Sequence, residues 1–414
     1  MFHVSRRIPA RAWPGALFLC TLLAACNAGP DSSGVTVTDS AGVRLLTSRG
    51  TGWGDDPAWH LELDLDVGER DGPNAFARLR DVAPRRGGGV WLLDSQARRV
   101  RGFDDAGSEI LAFGRPGQGP GEFGFVDHVA ELPDGEIVVG GSAPISLHRF
   151  GRDGLHRASA ILPDTVFRPR PAIPDAGRPP AGPTFGRWQV AADGSVFVQT
   201  TVVEADGDAI ARRDILFRLS ADGGPAIRLA VWDAPLMEGG PTGVMRLLEP
   251  ETAWSPLADG GIWLTSASEY ELQRLDAAGR LTAVIRRPGS RDPVTEAIRR
   301  GVRNRLGRTM DSDFERALLD RAAYPDVLPA TYGLWVAGSS GVSWVGVVDP
   351  RLPWDYESSN AWDVFGRDGT YVGRMPIPPG FRTTRVTGDH VYGIWLDDLD
   401  VPHARRYRIV RGTS

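Results

Sequence analysis

The fold of this chain is decided by a short hairpin signal, clearest in Asp134-Gly-Glu-Ile-Val-Val139 and Asp259-Gly-Gly-Ile-Trp-Leu264. Each stretch is a tight turn built on Gly, followed by an apolar run of the kind that forms a buried strand. Comparable stretches occur at four other places, which begin at Gly88, Asp193, Ser340 and Gly388. Six imperfect copies of one supersecondary unit predict a six-bladed β-propeller.

Each copy continues into further strands. In the first copy, Val100-Arg-Gly-Phe103 leads into the turn Asp104-Asp-Ala-Gly107, and Glu109-Ile-Leu-Ala-Phe113 follows as a third strand. Together with the strand that precedes each hairpin signal, every unit then has four antiparallel strands, which is the makeup of a propeller blade. The sequence therefore predicts an all-β fold of six four-stranded antiparallel blades.

The last unit lacks its outer strand, because its third strand, Arg405-Arg-Tyr-Arg-Ile-Val410, lies close to the end of the chain. The missing strand is predicted at 61–67, where Leu61, Leu63, Leu65 and Val67 alternate with Glu62, Asp64 and Asp66. This N-terminal strand would close the ring and remove its open sheet edges. The row of carboxylates is interpreted as a solvated strand face rather than as a cation site.

The copies are unevenly spaced. Gly89 and Gly135 are 46 residues apart, near the length of one blade, whereas Gly260 and Gly341 are 81 residues apart. We expect the excess to lie in loops. Two insertions stand out, a proline-rich loop at 163–183 and a helical insertion at 288–328.

The helical insertion is predicted to form two short helices. Asp292 is the expected N-cap of the first, with Pro293 at its first position, and Ser312 begins a capping-box pattern for the second. The expected apolar stripe of the first helix consists of Val294, Ile298, Val302 and Leu306. The arginines of this helix are Arg299, Arg300, Arg303, Arg305 and Arg308. Guanidinium pairs well with carboxylate and phosphate, so this basic helix could bind an anion, with Arg299, Arg300 and Arg303 as the candidates, or else its arginines form a solvated face.

The N-terminus has the features of an export signal. Residues 1–25 combine three Arg with an apolar stretch that is too short to cross a bilayer. The stretch ends in Leu23, Ala24, Ala25 and Cys26, which resembles a bacterial lipobox. The resemblance implies acylation at Cys26. Residues 26–34 are then the lipidated Cys and a flexible tether, and residues 35–414 are the propeller. Asn27 after the Cys favours the bacterial outer membrane and leaves open whether the protein faces the periplasm or the exterior.

Composition narrows the possible functions. The only two cysteines are Cys20 and Cys26, so the mature domain has no disulfide, cysteine metal site or cysteine nucleophile. The chain has a net charge of −5, which becomes about −8 when the three Arg of the signal are removed. This balance excludes a general electrostatic attraction to nucleic acid or to anionic lipid.

Propellers carry their functional groups around the central channel, on the innermost strand of each blade. One possible register places six residues at comparable positions there, namely Asp81, His128, Gln189, Ser255, Trp335 and Arg385. With Arg80, Asp127 and Trp254 as neighbours, the channel would be polar and of mixed charge. Such a lining suits a small polar or anionic ligand.

Gly117-Gln-Gly-Pro-Gly-Glu-Phe123 and the Asp-Gly hairpins resemble NHL-type repeats. Residues 35–411 as a whole resemble the six-bladed β-propeller lipoproteins of environmental bacteria, and the start at Thr38-Asp-Ser-Ala-Gly-Val43 is similar to theirs. The resemblance spans nearly the whole mature chain. Its motifs are structural, so they do not identify a ligand.

The leading functional hypothesis is a monomeric, lipid-anchored binding or interaction module of the cell envelope. It is expected to contact the membrane through its lipid, to recognise a protein, peptide, glycan or small polar ligand, and not to bind nucleic acid. A scaffold in an envelope complex is a further possibility.

The competing hypothesis is a metal-assisted hydrolase or lyase that resembles calcium-dependent lactonase propellers. Calcium requires several converging oxygen ligands, and the predicted channel offers Asp81 and Asp127 against the cations Arg80 and Arg385. The seven His show no zinc-ligand spacing. No cofactor or metal ligand is therefore predicted, with calcium as the open alternative. No catalytic residue is assigned, and His128 is interpreted either as a general base or as a wall residue.

A last motif is the acidic loop Asp397-Asp-Leu-Asp400 in the sixth unit. It is interpreted as a polar hairpin tip, with calcium binding as the alternative.

Overall fold

The computed structural model describes residues 34–412, apart from internal segments at 51, 54–56, 144, 162–183, 192, 207–208, 220–225, 234–244, 290, 309, 311, 338–340 and 348–360. The signal region, the lipobox with Cys26 and the proline-rich loop at 163–183 therefore lie outside the described residues.

Three strands precede the first complete blade, namely β1 (Val35–Ser40), β2 (Val43–Ser48) and β3 (Trp59–Val67). Blade 1 consists of β4 (Leu79–Pro84), β5 (Val90–Asp94), β6 (Arg99–Phe103) and β7 (Glu109–Phe113). Blade 2 consists of β8 (Phe125–Glu131), β9 (Ile137–Ala143), β10 (Ile145–Phe150) and β11 (His156–Ile161). Blade 3 consists of β12 (Thr184–Val190), β13 (Val196–Asp206), β14 (Ala209–Leu219) and β15 (Ile227–Asp233).

Blade 4 consists of β16 (Ala253–Pro256), β17 (Ile262–Thr265), β18 (Glu271–Leu275) and β19 (Leu281–Arg286). It is followed by the helices α1 (Glu296–Gly307) and α2 (Asp313–Asp320). Blade 5 consists of β20 (Gly333–Ala337), β21 (Val342–Val347), β22 (Ala361–Phe365) and β23 (Tyr371–Pro376). Blade 6 consists of β24 (Phe381–Val386), β25 (His390–Leu396), β26 (Pro402–Arg411) and β3.

The six sheets form a closed ring. Each innermost strand contacts the innermost strand of the next blade, in the order β4, β8, β12, β16, β20 and β24, and β24 contacts β4 again. The N-terminal strand β3 pairs antiparallel with β26 as the outer strand of blade 6. The predicted six-bladed propeller and its closure by an N-terminal strand are therefore confirmed.

The recurring hairpin signal has a local physical cause. Asp134 and Asp259 each accept a hydrogen bond from the backbone N–H two residues further on, at 2.9 and 3.0 Å. Gly135 and Gly260 adopt φ angles of 84° and 79°, a region that favours glycine. Turns of this kind join the innermost strand of a blade to its second strand, so the motif marks the same point in successive blades.

The apolar core lies between the blades. Among the described residues, five clusters of buried side chains each combine residues from two neighbouring blades, and in a sixth the buried residues of blade 3 pack against the partly buried Leu147 of blade 2. Phe197 of blade 3 and Trp254 of blade 4, for example, are fully buried with ring centroids 6.3 Å apart. Each blade is thus buried on both faces, because its two neighbours in the ring cover the apolar surfaces that a single sheet would expose.

Two features of the sheets differ from the expectation. The excess length of blade 3 does not lie only in loops, because β13 and β14 are 11 residues each and pair along their full length. Blade 4 is extended to six strands, since β2 pairs parallel with β19 and β1 pairs with β2. Long-range pairing of this kind leaves no local signal in the sequence.

The helical insertion is present, with one correction. The first helix is capped by Thr295, whose hydroxyl accepts from the N–H of Ile298, and not by Asp292. Pro293 instead forms a bridge with Val327, so the chain at 292–294 is held by tertiary contacts. The predicted capping box at Ser312 is confirmed. In the described part of the chain, neither helix is long and apolar enough to span a membrane.

The closing strand β3 departs from strict alternation. The pairing with β26 shifts at Asp64, which leaves Leu63 48% exposed while Leu65 is only 6% exposed. The acidic row is an ion-pair ladder rather than a plain solvated face. It joins Glu62 to Arg408 at 2.5 Å, Asp64 to Arg406 at 2.9 Å and Asp66 to Arg405 at 2.9 Å.

Candidate functional site

Two cavities in the central channel are lined by described residues. The upper cavity, about 930 Å³, opens on the face at which the innermost strands begin, which we call the upper face. The lower cavity, about 390 Å³, opens on the opposite face, where the hairpin turns lie. Trp335 and Arg385 line both cavities, so these two side chains lie where the cavities meet.

Each of the six predicted channel residues lies on an innermost strand and lines at least one cavity. They do not lie at one level of the channel, although the predicted register implied that they would. Counted along the ladder from the last pair before the hairpin turn, Gln189, Ser255 and Arg385 lie one residue away. Trp335 lies two residues away, and Asp81 and His128 lie three. The difference lies in how far each residue stands from its own hairpin turn, since the register shifts in β4, β8, β12 and β24 all come before these residues in the chain.

Asp81 is the most heavily bonded of the six. Its buried carboxylate accepts hydrogen bonds from the backbone N–H groups of Val82 and Val129 and from the guanidinium of Arg385, each at 3.0 Å. Burial alone would raise the pKa of this carboxyl, but Arg385, His128 and the backbone donor outweigh it and lower the pKa to about 2. Asp81 is therefore ionised at neutral pH and fixes the position of Arg385.

His128 lies beside Asp81 at the wall of the upper cavity. Its Nδ1 atom is 3.7 Å from the Asp81 carboxylate, beyond normal hydrogen-bonding distance, and has no hydrogen-bond partner among the described residues. Its side chain is 22% exposed. Nδ1 itself is buried, so the side chain reaches the cavity through its other atoms.

Arg187, on β12, is a channel residue that the sequence analysis missed. Its guanidinium donates to the carbonyl of Leu334 at 3.1 Å and lies 5.8 Å from the ring centroids of both Trp254 and Trp335. No carboxylate of the described residues lies within 4 Å of it. Burial, and then the charge of Arg385, lower its pKa to about 10, so it is still a cation at neutral pH. In the sequence, the only sign of Arg187 is that it takes a polar position in the alternating pattern of β12.

The lower cavity is built differently. The Gln189 side chain donates to the carbonyl of Trp254 at 3.0 Å, and its amide oxygen lies 3.4 Å from the Ser255 hydroxyl. The same hydroxyl accepts from the N–H of Val336 at 3.0 Å. These bonds join blades 3, 4 and 5, and so Gln189 and Ser255 serve largely to hold the innermost strands together.

The helical insertion contributes one residue to the upper cavity, Arg305 of α1. The three predicted anion-binding residues are not part of that lining. Arg303 pairs with Glu296 at 2.7 Å, Arg299 lies over the ring of Tyr324 at 5.7 Å, and Arg300 is exposed. Among the arginines of α1, Arg305 is thus the one that lines the upper cavity, whereas the candidates Arg299, Arg300 and Arg303 are not in its lining.

The upper cavity has an excess of positive charge. Its ionisable lining comprises Arg78, Arg80, Arg187, Arg305, Arg382 and Arg385 against Asp81, Asp127, Asp397 and Asp400, with His128 in addition. Arg80 and Asp127 pair with each other at 3.4 Å. A locally cationic cavity attracts anions even though the chain as a whole has a net charge of −5.

Within the described residues, no group of three or more His, Cys, Asp or Glu side chains could hold a metal ion. The two carboxylates considered for calcium, Asp81 and Asp127, are both engaged by arginines. The calcium alternative thus has no ligand set in the described part of the channel.

The sequence matches no protein-family model and no curated protein. Among solved structures, it is similar to a streptogramin B lyase, with 12% identity over 84% of this chain and 98% of that chain and a TM-score of 0.41. A presumed exported protein from Bacteroides fragilis shares 9% identity over 89% and 100%, with a TM-score of 0.46. Regucalcin, a calcium-binding protein from Agrobacterium tumefaciens, shares 12% identity over 85% and 96%, with a TM-score of 0.42. The strand pairing itself defines the class of this protein as a six-bladed β-propeller.

Proposed function

We propose that this protein is a lipid-anchored binding module of the cell envelope whose channel recognises a small anionic ligand at its upper face. The observation that carries the proposal is Arg187, a guanidinium held inside a ligand-sized cavity with no carboxylate partner among the described residues. A charge in such a position is costly unless it is paired. An anionic group of the ligand supplies the missing partner.

The surroundings of Arg187 support this assignment. Trp335 lies beside it and restricts its position, and Arg385 is already directed by Asp81. The binding groups are thus positioned before the ligand arrives, which reduces the entropy lost on binding. The cavity of about 930 Å³ has the size of a typical small-molecule site.

Replacing Arg187 by Gln is expected to weaken binding of simple anions about tenfold or more, because hydrogen bonds to charged groups are worth more than neutral ones. The binding of phosphate, sulfate, acetate and butyrate to the mature domain is measured by isothermal titration calorimetry. Arg280→Gln is the matched control, since Arg280 is 80% exposed and pairs locally with Asp276.

Two results would contradict the proposal. Equal affinities for wild type and Arg187→Gln would remove Arg187 from the site. Turnover of a lactone or ester panel that is lost in His128→Gln would instead support the hydrolase or lyase alternative, for which the accessible imidazole of His128 is the candidate general base.

The anchoring part of the proposal rests on the lipobox at 23–26. Cys26→Ser is expected to move the protein from the membrane fraction to the soluble fraction, because the acylated residue is lost. Cys20→Ser is the matched control and is expected to leave the protein in the membrane fraction. Retention of Cys26→Ser in the membrane fraction would contradict lipid anchoring.

A further inference from the structure

The described chain enters the propeller at its upper face. The four strands of blade 4 alternate in direction, so its outer strand β19 runs from the lower face to the upper face. Because β2 is parallel to β19 and β1 is antiparallel to β2, β1 begins on the upper face. Gly34, just before β1, is held there by a hydrogen bond of 2.9 Å from the N–H of Arg49 to its carbonyl.

Only a short stretch of sequence separates this point from the predicted lipid anchor. It comprises the eight residues 26–33, which lie outside the described residues. A fully extended chain gains at most about 3.5 Å per residue, so this stretch reaches no further than about 28 Å. The upper rim of blade 4 is therefore the part of the described propeller that the anchor holds closest to the bilayer.

The same face carries the exposed aromatic side chains. Among the described residues, these are Phe125 and Phe314, which are 65% and 54% exposed although Phe is usually buried. Phe125 begins the innermost strand of blade 2, and Phe314 lies in the first turn of α2, in the insertion between blades 4 and 5. Arg305 of this insertion lines the upper cavity, which places the insertion at the upper face.

The two rings favour a face-on contact with the bilayer. Blade 2 lies across the ring from the insertion, so an edge-on contact through blade 4 would leave Phe125 in water. The net charge of −5 gives no general attraction to anionic lipid, and the contact must be apolar. Because the anchor already holds the domain near the bilayer, a weak apolar contact is enough to select one orientation.

We propose that the upper face of the propeller is its membrane-facing surface, with Phe125 and Phe314 in contact with the bilayer that holds the anchor. This inference rests on the lipid anchoring in the proposed function and adds an orientation to it. The mouth of the upper cavity then opens towards the bilayer, and the lower face points away from it. The anionic ligand is accordingly taken up at the membrane surface.

The test places one fluorescent label on either face of the acylated protein in phosphatidylcholine vesicles. The mature domain has no cysteine besides Cys26, so an introduced cysteine is labelled selectively. Asp313→Cys, at the start of α2, reports on the upper face, and Asp389→Cys, in the turn between β24 and β25, reports on the lower face. The positions are matched, because each aspartate is exposed and pairs with one exposed arginine, at 3.2 and 3.0 Å.

The vesicles contain a lipid with a nitroxide on its headgroup, which quenches a label that lies close to it. The label at 313 is expected to be quenched at least about twofold more strongly than the label at 389, because an interfacial apolar contact reaches about 5–10 Å into the headgroup region. Replacing both Phe125 and Phe314 by Ser is expected to abolish this difference. Leu155→Ser is the matched control, since Leu155 is 61% exposed at a turn of the lower face, and it is expected to keep the difference.

Equal quenching at the two positions, or stronger quenching at 389, overturns the inference. A difference that survives in the Phe125 and Phe314 double variant overturns it as well, because the two rings would then not make the contact. In each of these cases, flotation of the acylated protein with the vesicles would leave the proposed anchoring intact. Failure of the wild-type protein to float with the vesicles would overturn the anchoring together with the orientation.

Discussion

Asp363→Asn is expected to lower the free energy of unfolding by about 1.5–3 kcal/mol, the usual worth of hydrogen bonds to a buried charged group. Asp363 is fully buried on β22 and accepts from Tyr270 at 2.7 Å and from the Nε of Arg374 at 2.8 Å. Arg287 lies 3.8 Å away. Since Tyr270 and Arg287 belong to blade 4 and Asp363 and Arg374 to blade 5, the substitution weakens an interface between blades.

Urea unfolding followed by tryptophan fluorescence measures this effect. The matched control is Glu62→Gln, which makes the same chemical change in an exposed ion pair with Arg408 and is expected to alter stability little. Burial and the Asp363 carboxylate raise the pKa of Tyr270 well above its usual value. A stability of Asp363→Asn equal to that of the control would show that this network does not hold the two blades together.

Leu65→Ala is expected to cost about 2–5 kcal/mol, because it opens a cavity in the cluster that joins blade 6 to blade 1. Leu65 lies on β3, the strand that closes the ring, and packs in the same cluster as Val67 and Phe76. Because β3 is the outer strand that completes blade 6, a weakened strand also exposes the edge of β26. The variant is expected to aggregate at lower temperature as well as to unfold at lower urea concentration.

Leu63→Ala is the control for this substitution. It removes the same atoms from the same strand, but Leu63 is 48% exposed, so the expected loss is below about 1 kcal/mol. Similar losses for the two variants would mean that β3 follows the strict alternation predicted from the sequence and has no shift at Asp64. The comparison therefore tests both the closure and its register.

The limits of sequence reasoning are clear at the channel. The innermost strands were located correctly, because each ends in a hairpin turn with its own local chemistry. The level of each residue was not, because the number of residues between the channel position and the hairpin turn differs from blade to blade, from one at Gln189 to three at Asp81. Arg187 was missed for a different reason: its importance lies in the lack of a carboxylate partner among the described residues, which only the three-dimensional structure shows.

The sequence by itself determined the number of blades, their four-stranded makeup, the closing strand and the capping box of α2. These features depend on neighbouring residues, through turn chemistry, period-two alternation and a cap within one helical turn. Lipidation at Cys26 stays a prediction from the lipobox. Only the tertiary structure decided that β1 and β2 extend blade 4, that Asp363 joins blades 4 and 5, and that Arg187 and Asp400 line one cavity. Those relations join residues far apart in the chain, and the closure of the ring brings them together.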